Sequence, residues 1–257
     1  MQLIKQAFVA SSLLAAAHGQ AVLKFAKGER GSPFSFGLQV QGKNPNDANF
    51  ISDVEITTNI VNECGRTLQG GNIDIGENTE NALLTGNVTQ TTAGGSVRIF
   101  MKQVNNLGSG PFTCDMDQTS NSNGVSGQTP LQVKESQPGQ NGFIKLSMTM
   151  PNDLKCTGAS TGNVCTIRCR NANNFGGCIA VQQKDTQPSQ NDPNSIQTAQ
   201  TLSGVLTQVQ QNIKDLPFAL DGIAGASQDP ADQGTSVIEA IQEGDGSTID
   251  NTVQFSP

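Results

Sequence analysis

Cys156-Thr-Gly-Ala-Ser-Thr-Gly-Asn-Val-Cys165-Thr-Ile-Arg-Cys169-Arg-Asn-Ala-Asn-Asn-Phe-Gly-Gly-Cys178-Ile-Ala-Val-Gln-Gln183 carries four of the chain's six cysteines, two short apolar runs and the polar turns around them. Val164–Arg168 and Cys178–Gln182 read as strands, each a few residues long and bounded by Gly and Asn. On such a strand Cys165 and Cys169 share a face but stand about 13 Å apart at a rise of about 3.3 Å per residue. A disulfide needs Cα atoms within about 7 Å, so each must find its partner elsewhere. Arg168 and Arg170 fall on the opposite face and are expected to serve as surface contacts.

The cysteines Cys64, Cys114, Cys156, Cys165, Cys169 and Cys178 form an even set behind an export signal. Residues 1–17 have that signal's anatomy: Lys5 in a polar start, an apolar stretch from Ala7 to Ala17, and small residues at its end. It is too short to span a bilayer. Oxidised pairs are therefore expected, with about fifteen connectivities open. A zinc site would want close Cys pairs with further Cys or His partners in a reducing compartment, and the chain has a single histidine, His18. Cutting after Ala17 makes His18 the first residue, whereas cutting after Gly19 leaves a mature chain with no histidine.

Short apolar runs recur upstream of the cysteine segment at Ala21–Ala26, Ser35–Val40, Val54–Ile60, Ser96–Lys102 and Gly142–Met148, separated by Gly- and Pro-containing turns. They predict a mainly β fold, a disulfide-stabilised β-sandwich over residues 18–183. Residues 184–194 read as a linker. Over 195–216, Ile196, Ala199, Leu202, Val205, Leu206, Val209 and Ile213 recur at helical spacing, predicting an amphipathic helix that stops before Pro217 and packs on the sandwich or on a second short helix near Ser236–Gln242. Residues 217–257 read as an acidic, largely disordered tail without an apolar anchor.

The formal charge of −7 is uneven, because residues 1–214 hold all 15 Lys and Arg while Asp215–Pro257 hold eight acids and no base. A near-neutral body offers no electrostatic footprint for nucleic acid or an anionic membrane. Tyr and Trp are absent, which argues against a sugar-binding module, since Phe rings lack a polar handle.

Hydrolysis by Ser-His-Asp or Cys-His needs an imidazole beside the nucleophile, and the lone histidine sits at the chain's start. Asp115 and Asp117 are the closest acid pair, about 6.6 Å apart on one face of an extended segment, and suit acid and base roles in geometry. The plainer reading makes them solvated or turn-forming residues. No phosphate-cradling motif is present. His18-Gly19 resembles the start of lytic polysaccharide monooxygenases, whose copper brace needs a second histidine that this chain lacks. Copper at His18 would thus need Asp115 or Asp117 as a further ligand. Asn87-Val88-Thr89 is a glycosylation sequon.

The cysteine segment, together with Gly110-Pro111-Phe112-Thr113-Cys114-Asp115 and the His18-Gly19 junction, resembles a family of secreted fungal proteins, the appressorium-associated virulence factors, similar to early-infection proteins of powdery mildews. The resemblance covers most of residues 18–183. It implies entry to the secretory pathway, with release outside the cell, attachment to the wall or retention in the appressorium. It further implies a contribution to host penetration through a host-surface or cell-wall component, with no catalytic residues to carry over. A copper-dependent oxidative protein acting on wall polysaccharide is the alternative. Mass spectrometry of the secreted N-terminus separates them: a chain beginning at Gln20 removes His18 from any chemistry.

Overall fold

Strands form where apolar and polar residues alternate. In Ser96–Gln103, Val97, Ile99 and Met101 are fully buried while Ser96, Arg98, Phe100 and Lys102 point the other way. Phe143–Thr149 repeats the pattern with Ile144, Leu146 and Met148 inside.

The structure, a computed structural model, describes residues 21–40, 47–68, 70–120, 128–187, 202–228 and 230–244. The expected signal segment, His18 and most of the expected linker lie outside them. In chain order the elements are β1 (Ala21–Lys27), β2 (Phe34–Phe36), β3 (Asn49–Phe50), α1 (Asp53–Thr57), β4 (Arg66–Thr67), β5 (Gly71–Asn72), α2 (Ile75–Leu84), β6 (Thr89–Thr91), β7 (Ser96–Gln103), β8 (Phe112–Asp117), β9 (Thr129–Leu131), β10 (Val133–Glu135), β11 (Phe143–Thr149), β12 (Val164–Asn171), β13 (Phe175–Gln183), α3 (Leu202–Gly225) and α4 (Pro230–Gly244).

Two sheets result, as the mainly β expectation requires. One runs β10-β11-β7-β1-β2, antiparallel throughout. The other runs β5-β4-β3-β13-β12-β8-β9, with β6 parallel to the end of β13. Their inner faces share one core, to which Val97, Ile99, Met101 and Leu146 contribute from the first sheet and Met116, Ile167, Ile179 and Val181 from the second. The sheets approach closely at Gly177, where a Cβ would lie 2.8 Å from the Cβ of Leu23. A side chain there would push them apart.

Every disulfide has one half on the β12–β13 pair. Cys114 is bonded to Cys169, its direct cross-strand neighbour, Cys156 to Cys165, and Cys64 to Cys178.

The expected strand over Val54–Ile60 is instead the short helix α1. Asp53 and Glu55 favour its first turn, Glu55 turns inward to Arg66, and Asn59 ends it at φ 61°. Helix α2 was not anticipated. Asp74 caps it by accepting the N–H of Glu77 at 2.7 Å, an Asp-x-x-Glu start that the sequence displays.

The C-terminal helix, described from Leu202, does not stop at Pro217 but continues to Gly225, and α4 contains the short helix expected near Ser236–Gln242, so residues 217–225 and 230–235 are helical where a largely disordered tail was expected. Packing overrides the weak local signal. Asp215 is buried, Phe218 lies against Gly244, and at Gly222 a Cβ would come within 2.6 Å of the Ser236 carbonyl. None of the described helices is long and apolar enough to cross a membrane.

Cross-links over longer loops restrict the unfolded chain more. Replacing Cys64 and Cys178 by Ala (separation 114 residues) is expected to cost about 4–5 kcal/mol in urea unfolding, against about 3 kcal/mol for Cys156 and Cys165 (separation 9 residues). Equal losses would show that loop length does not govern these bonds.

Candidate functional site

The five-stranded sheet has one face on the core and one away from it, and register decides what the outer face presents. Phe25 lies opposite Phe36 on one side and Phe100 on the other, and Phe100 lies opposite Lys145. In the next outward row Phe34, Lys27 and Arg98 stand in line, followed by Ser147 and Lys134. A third row pairs Lys102 with Phe143. Five phenylalanines and five cations thus share one face, and no acidic residue occupies any of these outward positions.

The rings form a cluster. Phe25 stacks on Phe100 at 4.6 Å between centroids and meets Phe34 edge-on at 5.5 Å. Lys27 Nζ stands 4.3 Å from the Phe34 centroid and Lys102 Nζ 5.3 Å from that of Phe143, both within cation–π range. Phe34 and Phe36 remain 42% and 56% exposed. A sixth cation, Lys24, sits in the bulge between Leu23 and Phe25. Its pKa is lowered, first by burial and then by the charge of Lys102. An anion placed beside these two ammonium groups would relieve that repulsion.

This face was missed in the sequence, where only the net charge of the body was weighed. The signal was present in Arg98-Ile-Phe100-Met-Lys102, where cation, aromatic and cation alternate with core residues at period two.

The residues singled out in the sequence lie elsewhere, on the second sheet. Asp115 accepts both arms of Arg168, from Nε at 2.9 Å and from the terminal nitrogen at 2.6 Å. Arg168 is 3% exposed, so the expected surface contact is a buried clamp; its strand face looks outward but is covered by Glu63, whose carbonyl accepts from it at 3.4 Å. Arg170 is partly exposed and pairs with Asp53 at 2.6 Å. Asp117 is buried and accepts the backbone N–H and hydroxyl of Thr119, each at 2.8 Å.

Beside Asp117 lies Glu63, buried and accepting from Gln128 at 2.7 Å. Burial, and next the charge of Asp117, push its pKa up to about 8. Glu63 therefore holds its proton at neutral pH and shares a hydrogen bond with Asp117. The two aspartates do face one side, as expected, but one is clamped and the other sealed. Each carboxylate is thus engaged by its own partners, Asp115 by Arg168 and Asp117 by Thr119. Among the described residues no group of three or more His, Cys, Asp and Glu is arranged to hold a metal ion. Asn87 is half-buried at the rim of a cleft of about 390 Å³ between β2 and α2 and donates to the Thr85 hydroxyl at 3.0 Å.

Residues 16–177 match the family described as Egh16-like virulence factor, a span that runs from before β1 to the start of β13 and ends before the helix pair α3 and α4. The chain is similar to the appressoria-specific virulence factor GAS1 of Pyricularia oryzae, with 31% identity over 204 residues, 72% of this chain and 79% of that protein. It is also similar to the appressoria-specific virulence factor GAS2 of the same fungus, with 34% identity over 107 residues, 36% of this chain and 37% of that protein.

The buried acid yields a pH dependence. Its folded pKa of about 8 exceeds the ordinary 4.5, so between these values the unfolded chain releases a proton that the folded one keeps. The stabilisation is full below pH 4.5 and is lost as pH rises through 8, by about 5 kcal/mol at most. Urea unfolding of the native protein should weaken across this window, and Glu63→Gln should flatten the decline. A parallel decline in both proteins would place its cause elsewhere.

Proposed function

Because the chain belongs to the Egh16-like virulence factor family, we propose that it works outside the cell as a non-enzymatic infection factor. In this reading, the outer face of its five-stranded sheet holds an acidic polysaccharide of the host surface or wall. GAS1 and GAS2 are described as appressoria-specific, and the same setting, at host penetration, is proposed for this chain.

The observation that carries the molecular part is the set of six cations around five phenylalanines, with no acid in the outward rows. A uronic-acid chain offers what this face accepts. Its carboxylates repeat along an extended backbone, and the C–H faces of its rings are apolar enough to lie on Phe34 and Phe36. Composition argued against sugar stacking because Phe has no polar handle. Lys27 and Lys102 supply one, since each ammonium group stands over a ring.

Binding to polygalacturonate is the test, with a neutral glucan and single-stranded DNA as controls. Affinity should fall steeply between about 50 and 300 mM salt, because exposed charges are screened within about 10 Å. Replacing Lys27, Arg98 and Lys145 by Ser should weaken it at least about tenfold, each exposed contact contributing up to about 1 kcal/mol. The same substitutions should leave the melting temperature nearly unchanged. Equal retention on neutral glucan, or preference for DNA, would overturn the assignment.

A further inference from the structure

Helix α3 carries an apolar stripe that is left exposed among the described residues. Leu206, Val209, Ile213, Leu216, Leu220 and Ile223 follow one another at intervals of 3, 4, 3, 4 and 3 residues, and each is between 46 and 66% exposed. The partner helix α4 packs on the other side, against Asp215, Phe218 and Gly222. At about 100° per residue the two faces point roughly 160° apart. The position of the helix pair is marked by Gln208, whose side chain donates to the Thr57 carbonyl at 3.2 Å, while the stripe itself looks into solvent.

We propose that this stripe pairs with the same stripe of a second copy of the chain, forming a two-fold dimer. Three-four spacing held over six positions is the seam of a coiled coil, and a seam is filled by another helix with the same spacing. The flanking positions Gln210, Asn212, Ala219 and Ala224 carry no charge, so two identical stripes meet without like-charge repulsion. Half-exposed side chains of this size leave about 500 Å² of apolar surface on each copy, or about 1,000 Å² for the pair, the size at which specific interfaces begin.

A membrane surface fits less well. Between Leu202 and Gly244 there is one base against six acids, which an anionic bilayer repels. Pro217 cannot donate a backbone hydrogen bond within the helix, which limits the seam to moderate affinity. The inference is independent of the polysaccharide reading, and its test contains no ligand.

Light scattering of the full secreted chain, over concentrations from about 1 to 200 μM, should show the mass rising to twice that of one chain, the range that a moderate affinity implies. Ile213→Glu would place a carboxylate in the seam and should weaken association at least about 100-fold, whereas Ile213→Leu should retain it. The residue is 66% exposed in the subunit, so the single chain should fold and melt as before. A chain of single mass at every concentration, or a dimer indifferent to Ile213→Glu, would overturn the proposal. Two other results would overturn it by naming a different occupant. One is a single-mass chain destabilised by Ile213→Glu, which would mean that its own residues cover the stripe. The other is a single-mass chain that binds phosphatidylcholine vesicles through the stripe.

Discussion

The β12–β13 ladder is the constraint on which the rest of the molecule hangs. Seven residue pairs join Val164–Arg170 to Gly176–Gln182, and this ribbon holds Cys165, Cys169 and Cys178, one half of every disulfide. Strand β8 is bonded to it through Cys114, and the segment before β12 through Cys156. The segment leading into β4 is bonded through Cys64. The Leu38 N–H donates to the Cys178 carbonyl at 2.8 Å and the Ser35 hydroxyl to the Ala180 carbonyl at 2.5 Å, which ties the first sheet to the same ribbon. The two inner faces meet over Ile167, Ile179 and Val181, which this ribbon carries. The family match runs from before β1 to the start of β13, taking in Cys64, Cys114, Cys156, Cys165 and Cys169 but not Cys178, and leaves out α3 and α4.

Much of that scaffold was legible in the chain because alternation and cysteine spacing are local signals. Val97, Ile99 and Met101 announce β7, and the ban on a Cys165–Cys169 bond follows from strand rise alone. What stayed hidden depended on partners distant in sequence. Val54–Ile60 has the β-branched composition of a strand, yet Glu55 reaches Arg66 and the segment turns. Arg168 looked like a surface residue until Asp115 and Glu63 closed around it. Pro217 looked like a helix end because the contacts that carry the helix past it come from α4. Of the candidate site, the aromatic and basic residues were visible one strand at a time, but their assembly on one face needs the pairing of β2, β1, β7 and β11.

Net charge proved a poor guide to surface character for the same reason. A body whose bases and acids nearly cancel still sets six cations on one sheet, because its acids are placed elsewhere: some are paired with arginines, as Glu55 and Asp115 are, or buried, as Glu63 and Asp117 are. The net negative charge lies beyond Lys214, where eight acids stand with no base. A chain of acidic composition can therefore show a basic, aromatic face to one partner and an acidic end to another.

The Cys64–Cys178 bond spans the whole stretch from β4 into β13, and the other two disulfides nest within it. The consequence is durability after backbone cleavage. A single backbone cut anywhere between residues 64 and 178 leaves both fragments covalently joined, with strands β7 and β11 of the basic face retained in one particle. A nick in the loop after β10 would separate the chain into two fragments on a reducing gel but not on a non-reducing one.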